Sequence, residues 1–255
     1  MEARQLTERL AMRADLAVTL SLAGRTAAPA LPPVPMRIGG FGGAQGLADY
    51  LRDEKIDVLI DATHPYAATI SMNAAAAAPL ARVALLALRR PGWAPIAGDR
   101  WVEVGDAAGA VRALGNVPRR AFLALGRKEI EPFADAPQHF YLVRSVEPVT
   151  PPVMVPHAVY VTARGPFAEA DERTLLEQHR IDIIVAKNSG GSATYGKIAA
   201  ARALSLPVIL LRRPLPPPYR PPLAGDGRVG GAVETVDDAV AWLDHVSAPP
   251  TARGV

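Results

Sequence analysis

The sequence contains no cysteine. This absence excludes a disulfide framework, a thiolate zinc site and a cysteine nucleophile. The five histidines are scattered without a pair at metal-ligand spacing, so we expect no transition-metal site. Apolar runs of about 18 residues or more, which a membrane-spanning helix needs, are also missing. Together with the lack of a basic and apolar leader, this predicts a cytoplasmic protein with no membrane partner.

Lysine is scarce as well. Of the 28 basic residues only 4 are lysine, which leaves 24 arginines, and the formal net charge is +3. No five basic residues follow one another, so an anionic small ligand is a better prediction than a nucleic acid. The length of 255 residues, with 49% hydrophobic and 21% charged residues, is typical of a globular protein of one or two domains.

An internal repeat favours two domains over one. Residues 55–60 and 180–185 are similar apolar runs that begin 125 residues apart, and each is followed by a polar loop and an alanine-rich helix. Each repeat then closes on Arg-Arg-Pro, at 89–91 and 212–214. Such self-similarity indicates two related halves. The alternative is that any two strand-loop-helix-strand units of an alanine-rich chain look alike.

Short apolar strands alternate with helices of about 10–14 residues, which is typical of parallel sheets with right-handed crossovers. The predicted strands are 16–22, 35–38, 57–61 and 83–88 in the first half, and 121–125, 140–144, 158–163, 182–186 and 207–211 in the second. We interpret 101–104 with helix 106–114 as a crossover. The prediction is an α/β protein with two Rossmann-like parallel-sheet domains, residues 1–100 and 101–246, a ligand cleft between them, and a tail over 247–255.

In open parallel sheets, ligands bind beyond the carboxyl ends of the strands. Gly39, Gly40 and Gly42 follow one predicted strand and precede a helix, where backbone N–H groups can approach a phosphate. A flexible turn is an equal alternative. Arg25 follows the strand 16–22, a position that reads the adenosine ribose in dinucleotide folds, and arginine there favours NADPH. The alternative is a surface arginine at a strand end.

Two further loops carry polar groups at strand ends. Lys187, Asn188 and Ser189 precede two glycines, Gly190 and Gly191, a combination suited to an anion. The equivalent loop of the first half is Thr63-His64-Pro65-Tyr66, whose histidine either faces a ligand or is a structural hydrogen-bonding group. No Gly-x-Ser-x-Gly elbow or P-loop is present, which argues against hydrolases and phosphotransferases. Hydride transfer needs neither motif, because the cofactor carries the chemistry.

Five motifs occur together in this chain. They are Ile60-Asp61-Ala62-Thr63-His64-Pro65-Tyr66-Ala67 with Ile70, Ser71, Asn73 and Ala74, then Arg89-Arg90-Pro91-Gly92-Trp93, Gly126-Arg127, Arg164-Gly165-Pro166-Phe167 and Lys187-Asn188-Ser189-Gly190-Gly191. In this combination the sequence resembles the precorrin-6A reductase family of cobalamin biosynthesis, from Glu2 to about Arg213. Members usually open with a strand and a Gly-Gly-Thr-Gly-Glu loop. Here the first half has no counterpart of the strand and turn at 121–128, so we expect about ten N-terminal residues to be missing.

The resemblance implies an NADPH-dependent reduction of one double bond in the precorrin-6A macrocycle, giving precorrin-6B. The substrate is then a tetrapyrrole with many carboxylates, and neighbouring enzymes of the same pathway are expected partners. A non-catalytic two-lobed protein that binds an anionic small molecule is the alternative. The residues expected at the cofactor are Arg25, Gly39, Gly40, Gly42 and Thr63. Those expected at the substrate are Pro65, Ser71, Arg164, Asn188, Ser189, Gly190 and Gly191, with His64, Tyr66 and Lys187 as candidate proton donors.

Overall fold

The computed structural model describes residues 2–24, 32–218 and 230–247. The chain divides into two compact units, one formed by the described parts of residues 1–90 and 214–255 and the other by residues 91–213. Within the described ranges, no helix is both long and apolar enough to cross a membrane.

Helices and strands alternate along most of the chain. In order, they are α1 (Glu2–Leu10), β1 (Leu20–Leu22), β2 (Met36–Ile38), α2 (Ala44–Asp53), β3 (Val58–Asp61), α3 (Ala68–Ala81), β4 (Ala84–Leu88), β5 (Trp101–Val104), α4 (Ala107–Leu114), β6 (Arg120–Ala124), α5 (Arg127–Ile130), a 3-10 helix (Glu131–Asp135), β7 (Phe140–Ser145), β8 (Ala158–Thr162), α6 (Glu169–Gln178), β9 (Ile183–Lys187), α7 (Gly196–Ala203), β10 (Val208–Leu211), β11 (Gly231–Val233) and α8 (Val236–Ser247).

The second unit is built on a six-stranded sheet of order β5-β10-β9-β6-β7-β8, in which every pair is parallel. The chain moves outward from β6 through β7 and β8, then resumes on the other side of β6 with β9 and β10. Its order therefore reverses between β6 and β9, the switch point at which doubly wound sheets bind ligands. Phe122, Leu142, Ile184 and Leu210 are fully buried at the centre of this sheet.

The described residues of the first unit form two parallel sheets, one of order β11-β4-β3 and one of order β1-β2. Alanines of α3 (Ala74, Ala77 and Ala78) pack against Leu47 and Leu51 of α2, because small side chains let the two helices approach closely. On another surface of the unit, α1 and α8 pack together over β4.

In the second unit, β6 lies between β9 and β7 and joins the two sides of the sheet. Among the described residues, the first unit has no counterpart of β6, and its sheet is interrupted at that position. In repeat order, β11-β4-β3 corresponds to β5-β10-β9 and β1-β2 corresponds to β7-β8, so the described residues supply no strand between β3 and β1. The flanking strands are correspondingly less covered. Val58, Leu59 and Ile60 of β3 are only half-buried, whereas all but the last residue of β9 are buried.

The predicted strands and the predicted helix 106–114 agree closely with the structure, whereas α1 was not predicted. The differences among the strands concern short strands at sheet edges. β1 begins at Leu20 rather than at residue 16, and residues 101–104 form the edge strand β5 beside β10 instead of a simple crossover. The expected domain limits at residues 100 and 246 also differ from the observed division, in which residues 91–213 form the second unit. Residues 231–247 lie in the first unit, because β11 pairs with β4 and α8 packs on α1.

The interrupted sheet predicts unequal protection of equivalent strands. Backbone amides of β3 that point away from β4 lack a neighbouring strand among the described residues, whereas β9 is paired on both sides. We expect peptides covering 58–61 to exchange amide hydrogen at least about tenfold faster than peptides covering 183–187. Hydrogen-deuterium exchange with mass spectrometry measures this, and equal protection of the two strands would contradict the interruption.

Candidate functional site

The loop after β3 is fixed by a buried carboxylate. Asp61 accepts hydrogen bonds from the backbone N–H of Thr63 (3.1 Å) and from the Thr63 hydroxyl (2.6 Å) through Oδ1. Its Oδ2 accepts from the Arg89 guanidinium at 3.1 Å, and the Asp61 side chain is only 2% exposed. The Thr63 hydroxyl also lies 3.2 Å from Oγ of the buried Ser71. This network holds the loop in one conformation, so Thr63 and Ser71 shape the site from inside.

His64 and Tyr66 lie on the outer part of this loop. The His64 side chain is exposed, and its Nδ1 accepts a hydrogen bond from the Tyr66 backbone N–H at 3.3 Å. The two rings are tilted, with centroids 5.7 Å apart, while Pro65 between them is buried. An accepting Nδ1 leaves the proton of a neutral imidazole on Nε2. The loop therefore presents the His64 imidazole at the end of β3.

The glycine-rich loop after β2 is organised by Arg37, a residue of that strand. Its guanidinium donates to the carbonyl oxygens of Gly39 (2.7 Å) and Gly40 (2.9 Å) and lies 3.9 Å from the centroid of the Phe41 ring. Gly42 has a φ of 78°, which favours glycine. A Cβ at Gly39, Gly40 or Gly42 would meet no atom within 4 Å, so the space above the loop backbone is open.

In the second unit, Lys187 at the end of β9 pairs with an acidic residue. Its Nζ lies 2.5 Å from Oε1 of Glu129, which belongs to α5 after β6. These strands flank the point where the sheet order reverses, so the ion pair lies at the switch point. The carboxylate holds the ammonium in position, and Lys187 is only 15% exposed.

Asn188 does not face outward, as a ligand-binding amide would. Its Oδ1 accepts from the backbone N–H of Trp93 at 2.7 Å, and its Nδ2 donates to the carbonyl of the same residue at 2.9 Å. Arg213 donates to the carbonyls of Pro91, Ser189 and Asn188. We call these contacts the Asn188 clamp. They bind the segment 91–93 firmly to the loop that follows β9.

Residues 164–167, which lie between β8 and α6, also contact the loop that follows β9. The backbone N–H of Phe167 donates to the carbonyl of Ala193 at 3.0 Å. Arg164 is exposed and forms an ion pair with Glu147 at 2.6 Å. Arg164 is thus a surface cation on a loop that is hydrogen-bonded to the loop after β9.

A buried charged cluster lies beneath these loops. Arg144 of β7 binds both carboxylate oxygens of Glu172 of α6, with Nη2 and Oε2 2.8 Å apart, and it stacks on the Phe167 ring at 3.8 Å. Lys197 in α7 is 4% exposed. Burial and, to a smaller extent, the positive charge of Arg144 lower the pKa of Lys197 to about 7, although Glu172 opposes the shift.

The structure thus gathers the predicted residues into two groups. Those of the first unit are Gly39, Gly40, Gly42, Thr63, His64, Pro65, Tyr66 and Ser71, and those of the second are Arg164, Lys187, Asn188, Ser189, Gly190 and Gly191. Arg25 lies outside the described residues. Ser71, Pro65 and Asn188 are buried.

Several residues that shape the site had no interpretation in the sequence. They are Arg37, Glu129, Arg144, Glu172 and Lys197. Arg37 lies on a predicted strand directly before a glycine-rich loop. A charged residue at that position indicates a contact with the loop. The buried pair Arg144–Glu172 joins a strand to a helix 28 residues further on, and no local pattern indicates such a contact.

Comparison with known proteins gives a consistent result. The family model described as Precorrin-6x reductase CbiJ/CobK matches residues 1–244. A precorrin-6A reductase of Sinorhizobium sp is 54% identical over 242 residues, covering 95% of this chain and 90% of that protein. The precorrin-6A reductase of Rhodobacter capsulatus is 46% identical over 255 residues, covering 100% and 96%. A solved structure named CobK precorrin-6A reductase matches with a TM-score of 0.88 at 45% identity, covering 100% of this chain and 96% of that one. This match confirms the predicted α/β fold with Rossmann-like parallel sheets.

The Asn188 clamp predicts that Gly190 cannot carry a side chain. A Cβ there would collide with the Pro91 carbonyl and the Arg213 guanidinium, and φ is 68°. Gly42→Ala is a matched control, since its φ is 78° but the space around it is open. We expect Gly42→Ala to lower the free energy of unfolding by about 1–2 kcal/mol. Gly190→Ala should lower it by about 1–3 kcal/mol more, because of the collision.

Urea denaturation followed by circular dichroism measures both variants. Equal losses in Gly42→Ala and Gly190→Ala would show that the backbone conformation alone matters and that the clamp tolerates a side chain.

Proposed function

The chain belongs to the precorrin-6x reductase family, and from that premise we propose that it reduces precorrin-6A to precorrin-6B in cobalamin biosynthesis with NADPH as the hydride donor. The family match over residues 1–244, which spans the motif loops of both units, carries this proposal. The geometry supports it, because those loops are held at the carboxyl ends of parallel strands, where such folds bind their ligands.

The first unit suits a dinucleotide. The backbone of Gly39, Gly40 and Gly42 is open to an approaching ligand, and Arg37 holds this loop through its carbonyl groups. We assign these glycines and Thr63 to the cofactor, with Arg25 as the residue that reads a 2′-phosphate. The cofactor supplies the hydride when it is bound, and the protein supplies its placement. Thr63 contributes chiefly by positioning, since its hydroxyl is bonded to Asp61.

In the second unit, we assign the loops after β8 and β9 to the anionic macrocycle. In the first unit, the residues that we assign to it are Pro65 and Ser71. Arg164 is exposed at the loop that joins the one after β9, and a guanidinium pairs well with a carboxylate. We also assign Ser189, Gly190 and Gly191 of that loop to the substrate, through their backbone groups. The buried Asn188, Pro65 and Ser71 act by positioning these segments rather than by direct contact.

Reduction of a double bond consumes a proton as well as a hydride. His64 is exposed on a loop that the Asp61 network holds in place, with Tyr66 beside it. Lys187 carries a charge oriented by Glu129. Each of these three side chains can supply a proton if the reacting carbon lies within hydrogen-bond reach.

Turnover of precorrin-6A under anaerobic conditions tests the function directly. The wild-type protein should oxidise NADPH, followed by its absorbance, and give a product heavier by two hydrogen atoms. Arg25→Ala should raise the KM for NADPH at least about tenfold and leave that for NADH nearly unchanged, because only NADPH carries the phosphate that the arginine binds.

Two results would oppose these assignments. Saturable binding of precorrin-6A without turnover would favour a non-catalytic binding protein, and equal effects of Arg25→Ala on both nucleotides would remove the phosphate contact.

Removal of the proton donor should lower kcat by about 10²-fold or more, whereas loss of a binding contact raises KM. We therefore compare His64→Ala, Tyr66→Phe and Lys187→Met in steady-state kinetics. His157→Ala and Lys55→Met are matched controls at exposed positions outside the proposed site. Near wild-type kcat in all three site variants would leave the proton to solvent or to a substrate carboxyl group.

A further inference from the structure

The cluster beneath the loops of the second unit holds two cations and one carboxylate. Arg144 occupies both oxygens of Glu172 in a two-point ion pair. In the part of the chain that the structure describes, no acidic side chain forms an ion pair with Lys197. A buried ammonium without its own carboxylate is strongly unfavourable. A lysine kept in such surroundings is a candidate for a functional role, provided that its contacts indicate one.

The contacts of Lys197 point to the loop that follows β9. Its Nζ donates to the carbonyl of Thr194 at 2.6 Å and lies 4.9 Å from the centroid of the Trp93 ring. Trp93 in turn donates its indole N–H to the carbonyl of Gly191 at 2.9 Å, and the Asn188 clamp holds its backbone. One ammonium therefore supports both the end of this loop and the aromatic ring packed beside it.

We propose that Lys197 is a positioning residue for substrate binding, whose ammonium holds Thr194 and Trp93 so that the loop 188–195 receives an anionic substrate. This inference rests on the proposed function for the identity of that substrate. The neutral amine loses the cation–π attraction to Trp93 and the charge that strengthens the bond to Thr194. The loop is therefore better ordered when Lys197 is protonated.

The surroundings of Lys197 make its protonation sensitive to pH near neutrality. The charged groups that face it are Arg144 from β7 and Glu172 from α6, and Tyr195 precedes it on the same segment. Burial is the main cause that brings its pKa down to about 7, so the charge is present below that pH and lost above it. Substrate affinity should fall as the pH rises through this range.

Kinetics with precorrin-6A test the positioning role. Lys197→Met keeps the length of the side chain and removes a buried charge, so the variant should fold. At about pH 6, we expect it to raise the substrate KM about tenfold and to change kcat less than about threefold. The wild-type KM should rise towards the variant value at about pH 8.5, and the variant should show no such rise. Lys55→Met, at an exposed lysine of the first unit, should behave as wild type.

An unchanged KM in Lys197→Met, or a pH-dependent rise that persists in that variant, would overturn the proposal. A loss confined to kcat would also overturn it, because a positioning residue for binding acts on KM.

A second measurement needs neither substrate nor cofactor, and so separates this inference from the proposed function. With Trp101 and Trp242 replaced by Phe, Trp93 is the sole tryptophan of the chain. We expect its fluorescence to change with pH around a midpoint near 7, and expect this change to vanish in Lys197→Met and persist in Lys55→Met. The same titration in Lys197→Met would exclude the coupling, whatever the protein reduces. If the Trp93 fluorescence titrates as expected but the protein does not turn over precorrin-6A, the proposed function is wrong and the coupling between Lys197 and Trp93 stands.

Discussion

The two hydrogen bonds between the Asn188 side chain and the backbone of Trp93 hold together the polar end of the second unit. They join segments 95 residues apart, neither of which is in a strand or helix at that point. An amide side chain suits this task, because it satisfies an N–H and a C=O of one residue at the same time. Arg213 extends the contact to Pro91 and Ser189. Lys197 can support Trp93 and Thr194 together only while the bonds between Asn188 and Trp93 are intact.

The two halves of the repeat solve the same problem with different chemistry. In each unit, a polar loop follows one strand (β3 or β9), and a second segment follows the neighbouring strand (β4 or β10). Both must be held in place. The first unit does so with charge, through the Asp61–Arg89 pair and the pair between Arg90 and Glu2. In the second unit, Asn188 and Arg213 bind backbone carbonyls instead. The shared Arg-Arg-Pro sequence therefore marks a common position in the fold rather than a common contact.

Much of the fold could be predicted, because its strands are short apolar runs whose period is visible locally. The placement of β11 could not, since a three-residue strand is defined by its partner β4 and not by its own sequence. The same limit applies to the site. The loops were identified from their glycines and polar residues, but Asn188 was expected at the substrate and is buried against Trp93. Lys197 gave no signal, because a lysine in an alanine-rich helix is ordinarily exposed.

The interrupted sheet of the first unit bears on the affinity of that unit for the cofactor that we assign to it. β1-β2 and β11-β4-β3 are joined by no strand among the described residues, so little backbone pairing opposes their separation. If only a fraction of the molecules has both sheets in place, only that fraction presents the loops after β2 and β3 together. The apparent dissociation constant is the intrinsic one divided by that fraction, and ligand at saturating concentration restores the lost stability by mass action. On the assignment proposed above, nucleotide in the purification buffer should stabilise the first unit.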